Sequence, residues 1–247
     1  MTPGAAPEVS VFSNPAALAD AAADLFVASA AASCRERGSF RVALAGGTTP
    51  AEMHRRLGQA PRRDQVDWTK TFVFFGDERC VPPGDAQRND RAADETLLSR
   101  VPLPSGSVFR VDTETVDAAA RYEAAIRQAF GVWGREVPRF DLIVLGVGPD
   151  GHTASLFPGH PALEETEHIV VKIGNSPKPP PERVTFTLPL LNAARAVLFL
   201  AAGAEKSGVV ARAVRGDPAL PSGRVRPESG RLVWLLDENA ASEMKGS

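Results

Sequence analysis

The sequence predicts a doubly wound α/β fold, a mainly parallel sheet with helices on both faces. Two observations carry this reading. Seven apolar runs of strand length alternate with helical patterns along the 247 residues, as in a chain of βαβ units. Most of those runs are continuously apolar rather than alternating, the pattern of strands covered on both sides.

The first helix starts at Asn14, a side-chain cap, with Pro15 in its first turn. Leu18, Ala22, Leu25, Phe26 and Ser29 share one face of it, opposite Asp20 and Asp24. RVALAG (41–46) is the first predicted strand and leads to a helix over 50–58. TFVFFG (71–76) follows, with helices over 90–100 and 115–130. LIVLGV (142–147), HIVVKI (168–173), VTFTL (184–188) and AVLFLAA (196–202) are the next strands. A helix over 204–215 and the strand LVWLL (232–236) close the pattern. NSPKPPPER (175–183) reads as a stiff surface loop because of its three successive prolines. It is too short to link domains and no repeat is visible, so residues 1–247 read as one domain, with 1–8 as a flexible tail.

Composition narrows the function. An apolar share of 43% and a charged share of 23% are those of a globular protein. A net charge of −2 offers no general attraction to nucleic acid or anionic membrane, so any anion site must be local. Cys34 and Cys80 cannot build a disulfide framework and suit a reducing cytosol. His54, His152, His160 and His168, without a Cys-x-x-Cys, have poor metal-ligand spacing. The N-terminus lacks a leader-like core and no apolar run reaches membrane-spanning length. The expectation is a soluble cytoplasmic protein, without nucleic-acid or membrane partners, as a monomer or small homo-oligomer.

In open parallel sheets ligands bind outside the carboxyl ends of the strands, so four loops matter. AGGTTPAE (45–52) can offer free N–H groups and a helix dipole to a phosphate. A plain capping box, with Thr49 as cap and Glu52 three residues on, is compatible with this but does not need Gly46 and Gly47. GDER (76–79) alone favours a solvated loop ion pair. Lys206 falls in the first turn of a helix, where a cation opposes the dipole unless both face one anion; a surface lysine offset by Glu205 is the alternative. GPDGHTASLFPG (148–159) places Asp150 two residues before His152 in a glycine-rich turn. A general base oriented by Asp150 and a structural loop histidine stand level there, with metal ligation weaker.

Six stretches in this order resemble one family: ALAGGTTP, FFGDERCVPP, RNDRAADETLL (88–98), LIVLGVGPDGHTASLFPG, RVTFTLPLLNAARAVLFLAAGAEK and LVWLLDENAA. The chain is similar in these to the glucosamine-6-phosphate isomerase/6-phosphogluconolactonase family. The resemblance implies a Rossmann-like fold and hydrolysis of 6-phospho-D-glucono-1,5-lactone in the oxidative pentose phosphate pathway, with no metal or organic cofactor. It implies that Gly46, Gly47, Thr48, Thr49 and Lys206 hold the phosphate, and that His152, oriented by Asp150, activates water. Arg79 and Arg183 then stabilise the oxyanion, Asp77 binds hydroxyls or positions a neighbour, and Arg88 and Asn89 serve substrate binding or electrostatics. The deaminases of this family carry a glutamate five residues after the turn histidine, where this chain has Phe157. They also have an aromatic residue where Arg79 stands, so the lactonase branch fits better than a deaminase/isomerase. A non-catalytic sugar-phosphate sensor would need an output domain for which 247 residues leave no room.

Overall fold

In the computed structural model, which describes residues 6–245, Asn14 Oδ1 accepts the Ala17 N–H at 2.9 Å and starts the first helix. That helix, α1 (Pro15–Arg37), ends at Gly38, whose φ of 77° is the left-handed cap that a glycine adopts without strain. It follows a strand that the apolar runs did not mark, β1 (Glu8–Phe12), which pairs in parallel with the last strand of the chain. Of the tail expected over 1–8, Glu8 is already in β1, and residues 1–5 lie outside the described residues.

The chain continues through β2 (Phe40–Leu44), α2 (Thr48–Leu57), the short α3 (Arg62–Gln65), β3 (Thr71–Phe75), β4 (Asp77–Arg79), α4 (Asn89–Thr96), α5 (Ala118–Phe130) and β5 (Leu142–Gly146). It ends with β6 (Val170–Ile173), β7 (Arg183–Phe186), α6 (Leu188–Ala193), β8 (Ala196–Ala201), α7 (Ser207–Val214), α8 (Pro221–Arg224) and β9 (Arg231–Asp237). Six strands form one parallel sheet in the order β1-β9-β8-β5-β2-β3.

Period-two alternation divides the buried strand residues between two layers. Val42, Leu44, Phe75, Val144 and Leu200 face α1 and α2 through Leu18, Phe26, Met53 and Leu57. Ala43, Phe74, Ile143, Leu145, Phe199 and Trp234 face Tyr122, Ile126, Leu191 and Val210 of the helices opposite. The run of apolar residues in each strand is therefore needed on both faces.

HIVVKI and VTFTL do not join this sheet. They supply β6 and β7 of a second, antiparallel sheet ordered β4-β7-β6. The middle pairing starts where the chain leaves β3: Gly76 N–H binds Leu44 O at 3.0 Å, and Gly76 O accepts from Phe186 N–H at 2.8 Å. GDER is consequently a strand and not a loop. Val184 and Phe186 send their side chains into the layer with Phe74 and Ile143. β4, three residues long and charged throughout, carries no apolar periodicity to be read locally, and the runs behind β6 and β7 give no local sign of which sheet they join.

Two further expectations change. The capping box is absent: α2 begins at Thr48 after Gly47, which makes no side-chain cap bond, and Glu52 pairs with Arg55. Helix α1 is long and apolar enough by composition to cross a membrane, contrary to the expectation that no apolar run reaches that length, because alanines supply much of its apolarity. Here Leu18, Ala22 and Phe26 pack on the sheet, while Arg62 bonds Asp20 and Asp24 outside.

His54 on α2 is buried against α4, with Nδ1 3.3 Å from Thr96 Oγ1 and Nε2 unpartnered. Burial, helped by the Arg55 charge, pushes its imidazole down to about 4 from 6.5. A base whose folded value is depressed stabilises the fold fully above the unfolded value and loses that stability as pH falls through the folded one. Unfolding free energy should therefore drop by about 3 kcal/mol between pH 6.5 and 4 on this account. Urea titrations of native protein and His54→Leu should diverge over that range, and parallel curves would refute the assignment.

Candidate active site

Strands β2 and β5 are neighbours, yet the chain leaves β2 toward β3 on one side and leaves β5 toward β8 on the other. Between their carboxyl ends lies a cleft of about 240 Å³, lined by Gly46, Gly47, Thr48, Thr49, Asp77, Arg79, His152, Arg183 and Lys206 among others. This is the switch point at which open α/β sheets bind ligands. Nine of the twelve residues expected in the site converge there.

The β2 side supplies donors. Gly47 has φ 99°, which lets the chain turn into α2. Ahead of the first intrahelical bond, Ala51 N–H to Gly47 O, the N–H groups of Gly47, Thr48 and Thr49 have no protein acceptor. Lys206 reaches the same cleft from the turn before α7, and its ammonium has no hydrogen bond or ion pair among the described residues. Free helix donors and a free ammonium facing one space can hold an anion such as phosphate. Gly46 has a different reason to be glycine: a Cβ there would lie 1.9 Å from Asn89 Oδ1.

The β5 side supplies a base. Asp150 Oδ1 lies 2.5 Å from His152 Nδ1. The ring leans over Gly148, where a Cβ would stand 2.1 Å from its Cε1 and Nδ1. The turn is pinned by Gly148 N–H to His152 O at 2.9 Å and Ser222 N–H to Gly151 O at 3.1 Å. Burial pushes the His152 imidazole below its ordinary value, against the bond and charge of Asp150, while Lys178 adds to the lowering. Burial opposes ionisation of Asp150, yet the bond from His152 and the charges of His152 and Lys178 hold its carboxyl below the usual range. A carboxylate can only accept, so Nδ1 carries the hydrogen and Nε2 keeps a lone pair at neutral pH.

Alternation along β4 separates its three charges. Asp77 and Arg79 face the cleft, while Glu78 turns away and accepts N–H bonds from Asn89 and Asp90, capping α4 at 2.8 and 2.9 Å. Asp77 Oδ2 accepts from Ser155 Oγ at 2.6 Å and Oδ1 from Asn89 Nδ2 at 3.0 Å. Arg79 Nη1 donates to Gln87 O at 2.7 Å, whereas its buried Nε makes no hydrogen bond among the described residues and lies 4.0 Å from Asp77 Oδ2. Register places Arg183 beside Arg79 and Thr185 beside Asp77.

Arg88 and Asn89 do not line the cleft. All five N–H groups of Arg88 are taken, by Asp90, Thr113, Val81 and Val111, so its guanidinium is a buried structural anchor. Asn89 supports Asp77 from behind. Two residues passed over in the sequence belong near the site. Ser155 links Asp77 to Arg183, and Lys178 of the proline loop lies 3.3 Å from both Asp150 Oδ1 and His152 Nδ1. The only sequence signal for Lys178 was a lone cation among prolines. Among the described residues no cluster of three His, Cys, Asp or Glu could hold a metal.

Fold and cleft together define an α/β protein able to hold a small anion within reach of a nitrogen base. Residues 13–234 match the family of glucosamine-6-phosphate isomerases/6-phosphogluconolactonase, and the chain belongs to that family. It is 46% identical over 239 residues to 6-phosphogluconolactonase of Rattus norvegicus, covering 94% of this chain and 92% of the rat protein. Identity to the Homo sapiens enzyme is 44% over 243 residues, with the same coverage of 94% and 92%. The structure of 6-phosphogluconolactonase from Trypanosoma cruzi superposes with a TM-score of 0.86 at 32% identity, covering 98% of this chain and 99% of that one. A monomeric glucosamine-6-phosphate deaminase, 19% identical with a TM-score of 0.78, shares the fold.

The contact between ring and glycine gives a direct test. Gly148→Ala should displace the imidazole and abolish the downfield Nδ1–H proton resonance of the Asp150 bond, leaving far-ultraviolet dichroism unchanged. Persistence of that resonance would show that the ring does not depend on this approach.

Proposed function

We propose that this chain, as a single α/β unit in the cytoplasm, hydrolyses 6-phospho-D-glucono-1,5-lactone to 6-phospho-D-gluconate. The observation that carries the reading is the pairing of Asp150 with His152 Nδ1 at the mouth of a cleft whose far side has free anion donors. The free thiols of Cys34 and Cys80 fit a reducing compartment.

The phosphate sits on the N–H groups of Gly47, Thr48 and Thr49 with Lys206, which fixes the sugar and brings its C1 carbonyl toward His152. Nε2 takes a proton from a water as the water oxygen bonds to C1. The carbonyl pair moves onto its oxygen, and the negative charge faces Arg79, whose Nε makes no hydrogen bond among the described residues, and Arg183. Collapse breaks the bond from C1 to the ring oxygen, which receives the proton from the imidazolium. Asp77, fixed by Ser155 and Asn89, is placed to accept from a sugar hydroxyl.

Deaminase chemistry is disfavoured by the residue five positions after His152. Phe157 is buried with its ring 4.8 Å from the imidazole, so no carboxylate serves as a second proton carrier there.

A coupled assay on freshly generated lactone should exceed spontaneous hydrolysis, and a rate equal to that background would remove the proposal. His152→Ala should lower kcat by about 10²–10⁴-fold with a modest change in KM. Lys206→Ala should chiefly raise KM for the phosphorylated lactone and have no effect on an unphosphorylated one; equal effects on both would take Lys206 off the phosphate.

A further inference from the structure

The proline loop is tied to the site at two points. Arg183, which lines the cleft, donates to three successive carbonyls of the loop: Lys178 O and Pro179 O at 3.1 Å and Pro180 O at 3.2 Å. Ser176 N–H closes the loop onto Pro181 O at 2.9 Å. Held in this way, Lys178 places Nζ 3.3 Å from Asp150 Oδ1 and 3.3 Å from His152 Nδ1.

Only one of those two approaches is a hydrogen bond. Nδ1 already gives its hydrogen to Asp150 at 2.5 Å, so it has no lone pair for an ammonium. Lys178 therefore donates to the Asp150 oxygen and stands beside the imidazole as a positive charge that opposes its protonation. The groups facing the ring are few. Asp150 and Lys178 touch it, Asp77 acts on it from β4, and Arg183 lies across the Phe157 ring at 5.5 Å. Of these, Lys178 alone stands in direct contact with both members of the pair and lies outside the strands and turn that build the cleft.

We propose that Lys178 is a positioning residue for the base: the loop, anchored by Arg183, presents an ammonium that keeps Asp150 anionic and aligned and disfavours the protonated imidazole. It acts through Asp150 and His152 and is not among the residues lining the cleft. The inference rests on His152 being the base. A side chain 38% exposed in an ion pair contributes little to stability, so its removal separates poising from folding.

The sign follows from the charge. Without Lys178 the imidazolium is easier to form, so the neutral base is lost at a higher pH. In Lys178→Met the acid limb of the kcat/KM profile should move upward by about half to one pH unit. Turnover above the limb should approach the native rate, and the thermal midpoint should stay unchanged. Lys178→Arg should keep the native limb. The His152 ring resonances, followed by nitrogen-15 NMR without substrate, should titrate with the same upward displacement. An unmoved limb and unmoved NMR titration in Lys178→Met, with His152→Ala inactive, would overturn the proposal and leave the base assignment intact. Native turnover in His152→Ala would instead overturn the base assignment, and this inference with it.

Discussion

The parallel pairing of β2 with β5, Val42 opposite Leu142 and Ala43 opposite Ile143, is the constraint on which the cleft depends. Consecutive strands leave these two in opposite directions, so no connection crosses the space above their carboxyl ends. The α2 N-terminus and the Asp150–His152 turn both open into that space. Each is locally unremarkable in its backbone needs: one positive-φ glycine at 47 and one close approach at 148. What makes them a site is adjacency, and adjacency comes from sheet order. The second sheet builds on the same point, because Gly76 bonds Leu44 on one side and Phe186 on the other. Asp77, Arg79 and Arg183 are thereby carried to the cleft by strand register instead of by loop conformation.

The parts of this architecture legible in the sequence are those that depend on local pattern. Apolar runs marked every strand of the parallel sheet except β1, an edge strand in which Glu8 and Ser10 interrupt the apolar residues. Glycines at strand ends marked both sides of the cleft. What stayed hidden depends on partners distant in sequence. Glu78 looked like half of a loop ion pair until α4 supplied the two N–H groups that its buried carboxylate accepts. The glycine at 46 lines the cleft as expected, but the sequence could not show that Asn89, far along the chain, fills the space of its missing Cβ. Lys178 sits 26 residues from the histidine that it adjoins, on a loop whose prolines suggested only stiffness.

Three arginines near the site show why residue type alone could not assign roles. Arg88 spends all five N–H groups on protein acceptors and has none for a ligand. Arg183 spends most of its donors on the proline loop but still borders the cleft. Arg79 makes one bond to Gln87 O and leaves a buried Nε without a hydrogen bond among the described residues. A buried donor without a hydrogen bond costs free energy, and here the Asp77 carboxylate at 4.0 Å offsets only part of it. The graded saturation of these guanidiniums, absent from any motif, orders them from fully committed scaffold to the one with a donor still free.

Phe157 joins the two halves of the chemistry. Its ring lies 4.8 Å from the His152 ring and 5.5 Å from the Arg183 guanidinium carbon. A carboxylate in that position would meet a guanidinium on one side and an imidazole on the other. It would pair with Arg183 and leave that charge less available to the cleft that Arg183 borders. It would also favour the imidazolium, opposing the effects of burial and Lys178 that keep the ring neutral. A phenyl ring does neither: it excludes water, supports the cation through its face and adds no charge. The position that separates this chain from the deaminase pattern is thus also where a negative charge would act on both the His152 imidazole and the Arg183 guanidinium.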